Sequence, residues 1–120
     1  MLEEKVEYGN LYDFYGNLLN DSQKRTARLY YMEDLSLQEI GDELNISRQA
    51  VFDSLKRARK NLDESESKLG LLKRFEENKE AFKLISKKLK GLEELGDLNS
   101  SQKESLKEIY ELISDIIESD

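Results

Sequence analysis

The chain has no cysteine, histidine, proline or tryptophan. Without cysteine there can be no disulfide, thiolate nucleophile or cysteine-based zinc site. Without histidine the commonest acid–base group and the commonest metal ligand are gone. Carboxylates are plentiful, but they alternate with lysine along helical faces instead of clustering under apolar shielding. No enzymatic chemistry, metal or cofactor is therefore expected. No apolar run approaches the roughly 18 residues that span a bilayer, and no basic start followed by an apolar stretch marks a signal peptide. A cytoplasmic location follows by default.

What is present is a charged, periodic chain. Of its 120 residues 38% are charged and 38% hydrophobic, and apolar side chains recur at period 3.6 nearly throughout, which predicts an all-α protein. The length supports one domain, or one small domain plus an extension. Formal net charge is −7, unusual for a nucleic-acid binder, but its distribution matters more. Residues 1–60 carry 9 Lys and Arg against 11 Asp and Glu, and residues 61–120 carry 10 against 15. Within the first half, residues 44–60 hold Arg48, Lys56, Arg57, Arg59 and Lys60 against Asp53 alone. One basic helix thus stands in an acidic molecule, and weak non-specific DNA affinity at physiological salt is expected.

That helix belongs to residues 36–62, SLQEIGDELNISRQAVFDSLKRARKNL, which read as two helices joined by a tight turn. Ser36 caps the first and Glu39, three residues on, completes a capping box. Ile40 and Leu44 share one face. Asn45 sits where the chain reverses and tolerates a left-handed conformation. Ser47 caps the second helix, whose Val51, Leu55, Ala58 and Leu62 cluster on one side at 100° per residue. Gly41 suits a close approach of the two helix backbones. This is the layout of a helix-turn-helix, whose second helix can enter the DNA major groove.

Upstream, residues 2–19 place Tyr8, Leu11, Tyr15, Leu18 and Leu19 on one stripe flanked by Tyr12 and Phe14, to be read as core or as a partner surface. Asn20 and Asp21 supply a break and an N-cap for a helix over 22–33, with Ala27, Leu29, Tyr30 and Tyr31 inward. Downstream, Leu71, Phe75, Asn78, Phe82, Ile85, Leu89 and Leu92 alternate steps of four and three, a heptad seam suited to a coiled coil or a long antiparallel pair. Gly91, Gly96 and residues 97–100 interrupt it. Ser101 with Glu104 suggests a capping box for a final helix over 102–118, carrying Leu106, Ile109, Tyr110, Ile113, Ile116 and Ile117. The expected organisation is a helix-turn-helix domain over 1–64 and a helical C-terminal extension over 65–120. The seam outruns the final helix, so the extension is expected to join two copies into a homodimer.

On the second helix of the motif, Gln49, Asp53, Lys56 and Lys60 lie opposite the apolar side, with Arg48, Phe52 and Arg59 on one flank and Arg57 on the other. Lys56, Arg57, Arg59 and Lys60 suit phosphates, while Arg48 and Gln49, in the first turn after Ser47, suit guanine and adenine edges. The expected nucleic-acid-binding set is therefore Ser47, Arg48, Gln49, Phe52, Lys56, Arg57, Arg59 and Lys60. Asp53 would repel phosphates, though it could accept from a cytosine amino group. Phe52 could touch a thymine methyl or pack on a protein. The other reading is a helix-turn-helix that no longer reads DNA and uses this face for protein or RNA contact.

The stretch QEIGDELNISRQAVFDSLKRARKNL resembles region 4 of bacterial sigma factors, which reads the −35 promoter element. Ile40, Leu44, Ile46, Val51 and Leu55 fall on that family's packing positions. Gly41 replaces its usual Ala and Asn45 its usual turn Gly. More of the chain resembles the YlxM family of small bacterial proteins, through LYDFYGNLL, LYYMEDLSLQEIGDEL and ISRQAVFDSLKR, closely over about residues 8–70. The Arg48–Val51 segment and Phe52-Asp53 fit this family better than promoter-reading sigma factors. In that family the gene typically neighbours that of the signal recognition particle GTPase. The resemblance therefore implies partners among double-stranded DNA or signal recognition particle components.

Overall fold

A computed structural model describes residues 2–118, and every regular element among them is helical. Helix α1 spans Leu2–Tyr15 and runs into a tighter turn over Gly16–Leu18. That turn advances each residue by about 120°, so Leu18 swings into solvent while Leu19 is buried, where a single α-stripe would have kept both inward. Asn20 caps α2 (Asp21–Ala27) by accepting from the Gln23 amide at 2.8 Å. The helix then widens into a π-turn over Arg28–Met32, a local feature that the apolar pattern does not encode.

The motif forms as the capping chemistry dictates. Helix α3 spans Leu37–Leu44, its first turn closed by a reciprocal box: the Glu39 amide donates to Ser36 Oγ at 3.1 Å, and the Ser36 amide donates to Glu39 Oε1 at 3.0 Å. Asn45 ends it in the left-handed region at φ 59°. Ser47 caps α4 (Arg48–Leu69) by accepting from the Ala50 amide at 3.0 Å. A Cβ at Gly41 would lie 2.8 Å from the Ile46 carbonyl oxygen, so the close approach is to the turn itself, whose Ile46 amide donates to the Gly41 carbonyl at 2.9 Å. Helix α4 continues past Leu62 to Gly70, which stops it at φ 61°.

The core joins these elements. Leu11, Tyr15, Leu19, Ala27, Leu29, Ile40, Val51, Leu55, Ala58, Leu62 and Leu72 form one buried cluster, each large aliphatic member contributing about 1.5–3 kcal/mol by leaving water. The aromatic opening is thus core for Tyr15, with Tyr8, Tyr12 and Phe14 packed half-buried against the cluster. Polar ties fix α2 on α4: Ser54 donates to Thr26 at 3.1 Å and Asn61 to Gln23 at 2.8 Å. No described buried side-chain polar atom lacks a partner, as a specific fold requires.

The chain divides into two compact units, the first running through Leu72 and the second beginning at Lys73. The second unit contains most of α5 (Leu71–Glu94) and all of α6 (Ser100–Glu118). Along α5 the buried and half-buried positions are Leu72, Phe75, Lys79, Phe82, Ser86 and Leu89, while Leu71, Asn78, Ile85 and Leu92 are exposed. The spacing of four and three is retained, but the face is turned by about one residue from the expected seam. Lys79 is half-buried on that face, as a long side chain with an apolar stem allows. The cap of α6 is Asn99, two residues before the expected Ser101, and the helix starts at Ser100. The Gln102 amide donates to Asn99 Oδ1 and the Asn99 amide to Gln102 Oε1, both at 2.8 Å, because Asn is a stronger N-cap than most and Gln closes the box as well as Glu does. Ile113 is buried and Leu106, Tyr110 and Ile117 are half-buried. The Tyr110 hydroxyl donates to Glu93 at 3.3 Å, tying α6 back to the end of α5.

Candidate nucleic-acid interface

Helix α4 is amphipathic in the way groove entry requires. Val51, Leu55, Ala58 and Leu62 are all buried, while Ser47, Arg48, Gln49, Phe52, Asp53, Lys56, Arg57 and Lys60 are exposed. Among the described residues no ion pair engages Arg48, Lys56, Arg57 or Lys60. Arg48 and Gln49 occupy the first turn, the end from which recognition helices reach base edges. Gln49 is not idle: its amide donates to Asp53 Oδ1 at 3.1 Å. That bond occupies a carboxylate lone pair and orients the amide, which must be released or shared when a base is read.

Arg59 stands apart from the other cations. Its Nε donates to the Tyr31 hydroxyl at 2.7 Å, Nη1 lies 3.7 Å from Glu4, and the guanidinium sits 5.3 Å from the Tyr8 ring centre. Burial alone would weaken its charge, but the bond to Tyr31 and the nearby Glu4 carboxylate hold its pKa above the ordinary guanidinium value. Tyr31 responds in kind, burial raising its phenol pKa against the lowering pull of Arg59. Nearby, Tyr8 donates to Asp63 at 2.9 Å, and burial followed by that bond pushes its pKa up to about 12. Helix α1 therefore lies along the second half of α4 and ties up Arg59. The expected set shares one helix and its cap, with Ser47 holding the helix start and Arg59 turned to structural use. These four contacts span 28 to 55 residues and leave no local signal beyond the density of tyrosine.

The electrostatic field is mixed. A shallow strip is lined by Asp53, Lys56, Arg57, Arg59, Lys60, Asp63 and Glu64, so the cations face three carboxylates at close quarters. On α3, Glu39, Asp42 and Glu43 are exposed. Beside Phe52, which is 48% exposed, a cleft of about 280 Å³ is lined by Tyr30, Leu37, Phe52, Leu55, Lys56 and Arg59. No group of three or more described Asp or Glu residues could hold a metal ion, and no described helix is long and apolar enough to cross a membrane.

Capped α3, a left-handed Asn45 turn and a half-buried α4 offered to solvent define a helix-turn-helix protein of all-α class. Its relatives agree with the geometry. Residues 2–108 match the profile of the UPF0122 family, described as "Putative helix-turn-helix protein, YlxM / p13 like", and the chain belongs to that family. It is 44% identical over 93 residues to the UPF0122 protein YlxM of Bacillus subtilis, covering 78% of this chain and 84% of that one. A UPF0122 protein of Bacillus mycoides is 40% identical over 112 residues, 93% of this chain and 99% of the relative.

Proposed function

We propose that this protein is a cytoplasmic, DNA-binding regulatory protein of the signal recognition particle pathway, acting as a homodimer. The observation that carries the DNA reading is the exposed surface of α4, where Gln49, Lys56 and Lys60 lie opposite a fully buried stripe and Arg48 and Arg57 are exposed on its two flanks. In this reading Arg48 and Gln49 contact bases, and Lys56, Arg57 and Lys60 contact phosphates. Two copies would read half-sites about one helical turn apart. The tie to protein targeting is supported by the resemblance to YlxM proteins and not by any contact within the chain.

The test is duplex selection from a random library followed by titration across salt. Three phosphate contacts per copy give a log–log salt slope near −3 per copy. Lys56→Glu weakens binding by at least ~1 kcal/mol. Undetectable or salt-insensitive binding would remove the DNA reading.

A second reading has its own observation. The cleft beside Phe52 joins apolar walls to the cations Lys56 and Arg59, a combination suited to an apolar side chain with a neighbouring acid on a component of the targeting machinery. Phe52→Ala discriminates the two. It abolishes capture of that component under the second reading, and under the first it changes DNA affinity by no more than one apolar contact.

A further inference from the structure

Asp53 stands in the middle of the outward side of α4. At 100° per residue it falls almost opposite the buried stripe, with Gln49, Lys56 and Lys60 to one side of it and Arg57 to the other. A carboxylate there opposes the approach of any phosphate. Lys56 and Arg57 follow it by three and four residues, the spacings at which ion pairs form along a helix. Yet among the described residues no ion pair engages Asp53. It accepts instead from the Gln49 amide at 3.1 Å. The carboxylate is thus engaged with the first turn of α4, which holds Arg48 and Gln49, and not with the cations on its other side.

We infer that Asp53 is a positioning residue for Gln49, which it sets to read adenine and to reject guanine. The inference rests on the DNA reading given above and deepens it. A carboxylate only accepts, so Gln49 turns Nε2 towards it and commits one of its two Nε2–H groups. One N–H and Oε1 remain on the exposed side. They are the donor and the acceptor that match N7 and the N6 amino group of adenine in the major groove. Guanine presents two acceptors, N7 and O6, at the same edge. An unrestrained glutamine can turn its NH2 group to both. Gln49 can do so only by leaving Asp53, and otherwise sets Oε1 against a guanine acceptor. Asp53 therefore lowers affinity for every duplex and lowers it most for the wrong base, and selectivity is that difference.

The test compares wild type, Asp53→Ala and Asp53→Asn on the duplex returned by selection, after Gln49→Ala has shown which base pair Gln49 reads. Wild type is expected to favour adenine over guanine there by at least ~5-fold. Asp53→Ala is expected to reduce that ratio roughly 2- to 10-fold, the worth of one net hydrogen bond, while binding every duplex more tightly. Asp53→Asn keeps an acceptor oxygen without the charge, so it is expected to retain more of the ratio with the same general gain. The position is exposed, and helix content by circular dichroism should not change in either variant. Without DNA, Asp53→Ala is expected to shift the Gln49 side-chain amide resonances. Those of Gln38, whose amide donates to Asp42 at 3.2 Å, should stay in place. An unaltered ratio with binding intact would overturn the assignment and leave the DNA reading standing. So would a changed preference confined to another base pair, the mark of Asp53 itself touching a cytosine. Binding of no duplex by the wild type would remove both.

Discussion

Arg59 donates its Nε–H to the Tyr31 hydroxyl at 2.7 Å, and this bond separates one cation of the basic helix from those left free for a polyanion. Tyr31 reaches it from the π-turn that follows α2, while Glu4 and Tyr8 of α1 close over the guanidinium. The helix that presents a surface for binding is thus anchored by a residue whose type alone would place it in that surface.

Arg59 and Lys56 should therefore separate cleanly. Arg59→Ala is expected to lower unfolding free energy by about 1–2 kcal/mol through the lost charged hydrogen bond, read by urea denaturation. Lys56→Ala, at an exposed position, should leave stability within ~0.5 kcal/mol and lower affinity for duplex DNA. The reverse pattern would show that Arg59 leaves Tyr31 on binding.

Tyr15 closes the junction of α4 and α5. Its buried hydroxyl donates to Glu66 at 2.6 Å and accepts from the Leu71 amide at 2.9 Å, while Glu66 accepts from the Leu72 amide at 3.1 Å. Tyr15→Phe removes one oxygen and leaves an amide and a carboxylate short of partners. The expected loss is about 1–3 kcal/mol, with amide exchange at Leu71 accelerated more than exchange in the middle of α4.

Alkaline pH should destabilise the fold through the tyrosines. Tyr8 has its pKa raised from 10.0 to about 12, first by burial and then by its bond to Asp63, and burial likewise raises Tyr15. A folded-state pKa above the unfolded value gives stability that is complete below pH 10 and lost as pH rises towards 12. Chemical denaturation at pH 8, 10 and 11.5 should show that decline, and Tyr8→Phe should flatten part of it. Identical slopes for the two proteins would rule out Tyr8 as a contributor.

Asn45 sits at φ 59° and ψ 44°, where side chains other than Asn, Asp and Gly are strained. Asn45→Gly is expected to be neutral or slightly stabilising, whereas Asn45→Val should cost about 1–2 kcal/mol. At Gly41, whose Cβ position falls 2.8 Å from the Ile46 carbonyl, Gly41→Val should cost about 1–3 kcal/mol. Because it displaces the entry to α4, it should also weaken any ligand held by Arg48 and Gln49. Thermal denaturation ranks all three variants.

Features held within one or two turns could be read from residue order. Ser36 with Glu39, Asn45 and Ser47 each act on backbone groups within four positions, so the capping box, the reversal and the start of α4 follow from local chemistry. The buried stripe of Val51, Leu55, Ala58 and Leu62 follows from helical period. The same reasoning set the phase of α5 wrongly, because Phe75, Phe82 and Leu89 fit either seam, and Leu71, Ile85 and Leu92 completed the expected one while Leu72, Lys79 and Ser86 complete the observed one. Asn99 and Ser101 were likewise both able to cap α6, and the Gln102 side chain completes the box with Asn99.

By itself, then, the sequence determined the all-helical class, the helix-turn-helix and the identity of its outward cationic helix, since propensity, capping and period are properties of neighbouring residues. The tertiary structure alone decided which way α5 faces, that Tyr15 and Glu66 lock its start, and that Arg59 serves the fold. Each of those outcomes depends on side chains brought together across tens of residues, where several pairings are locally equivalent and only packing selects one.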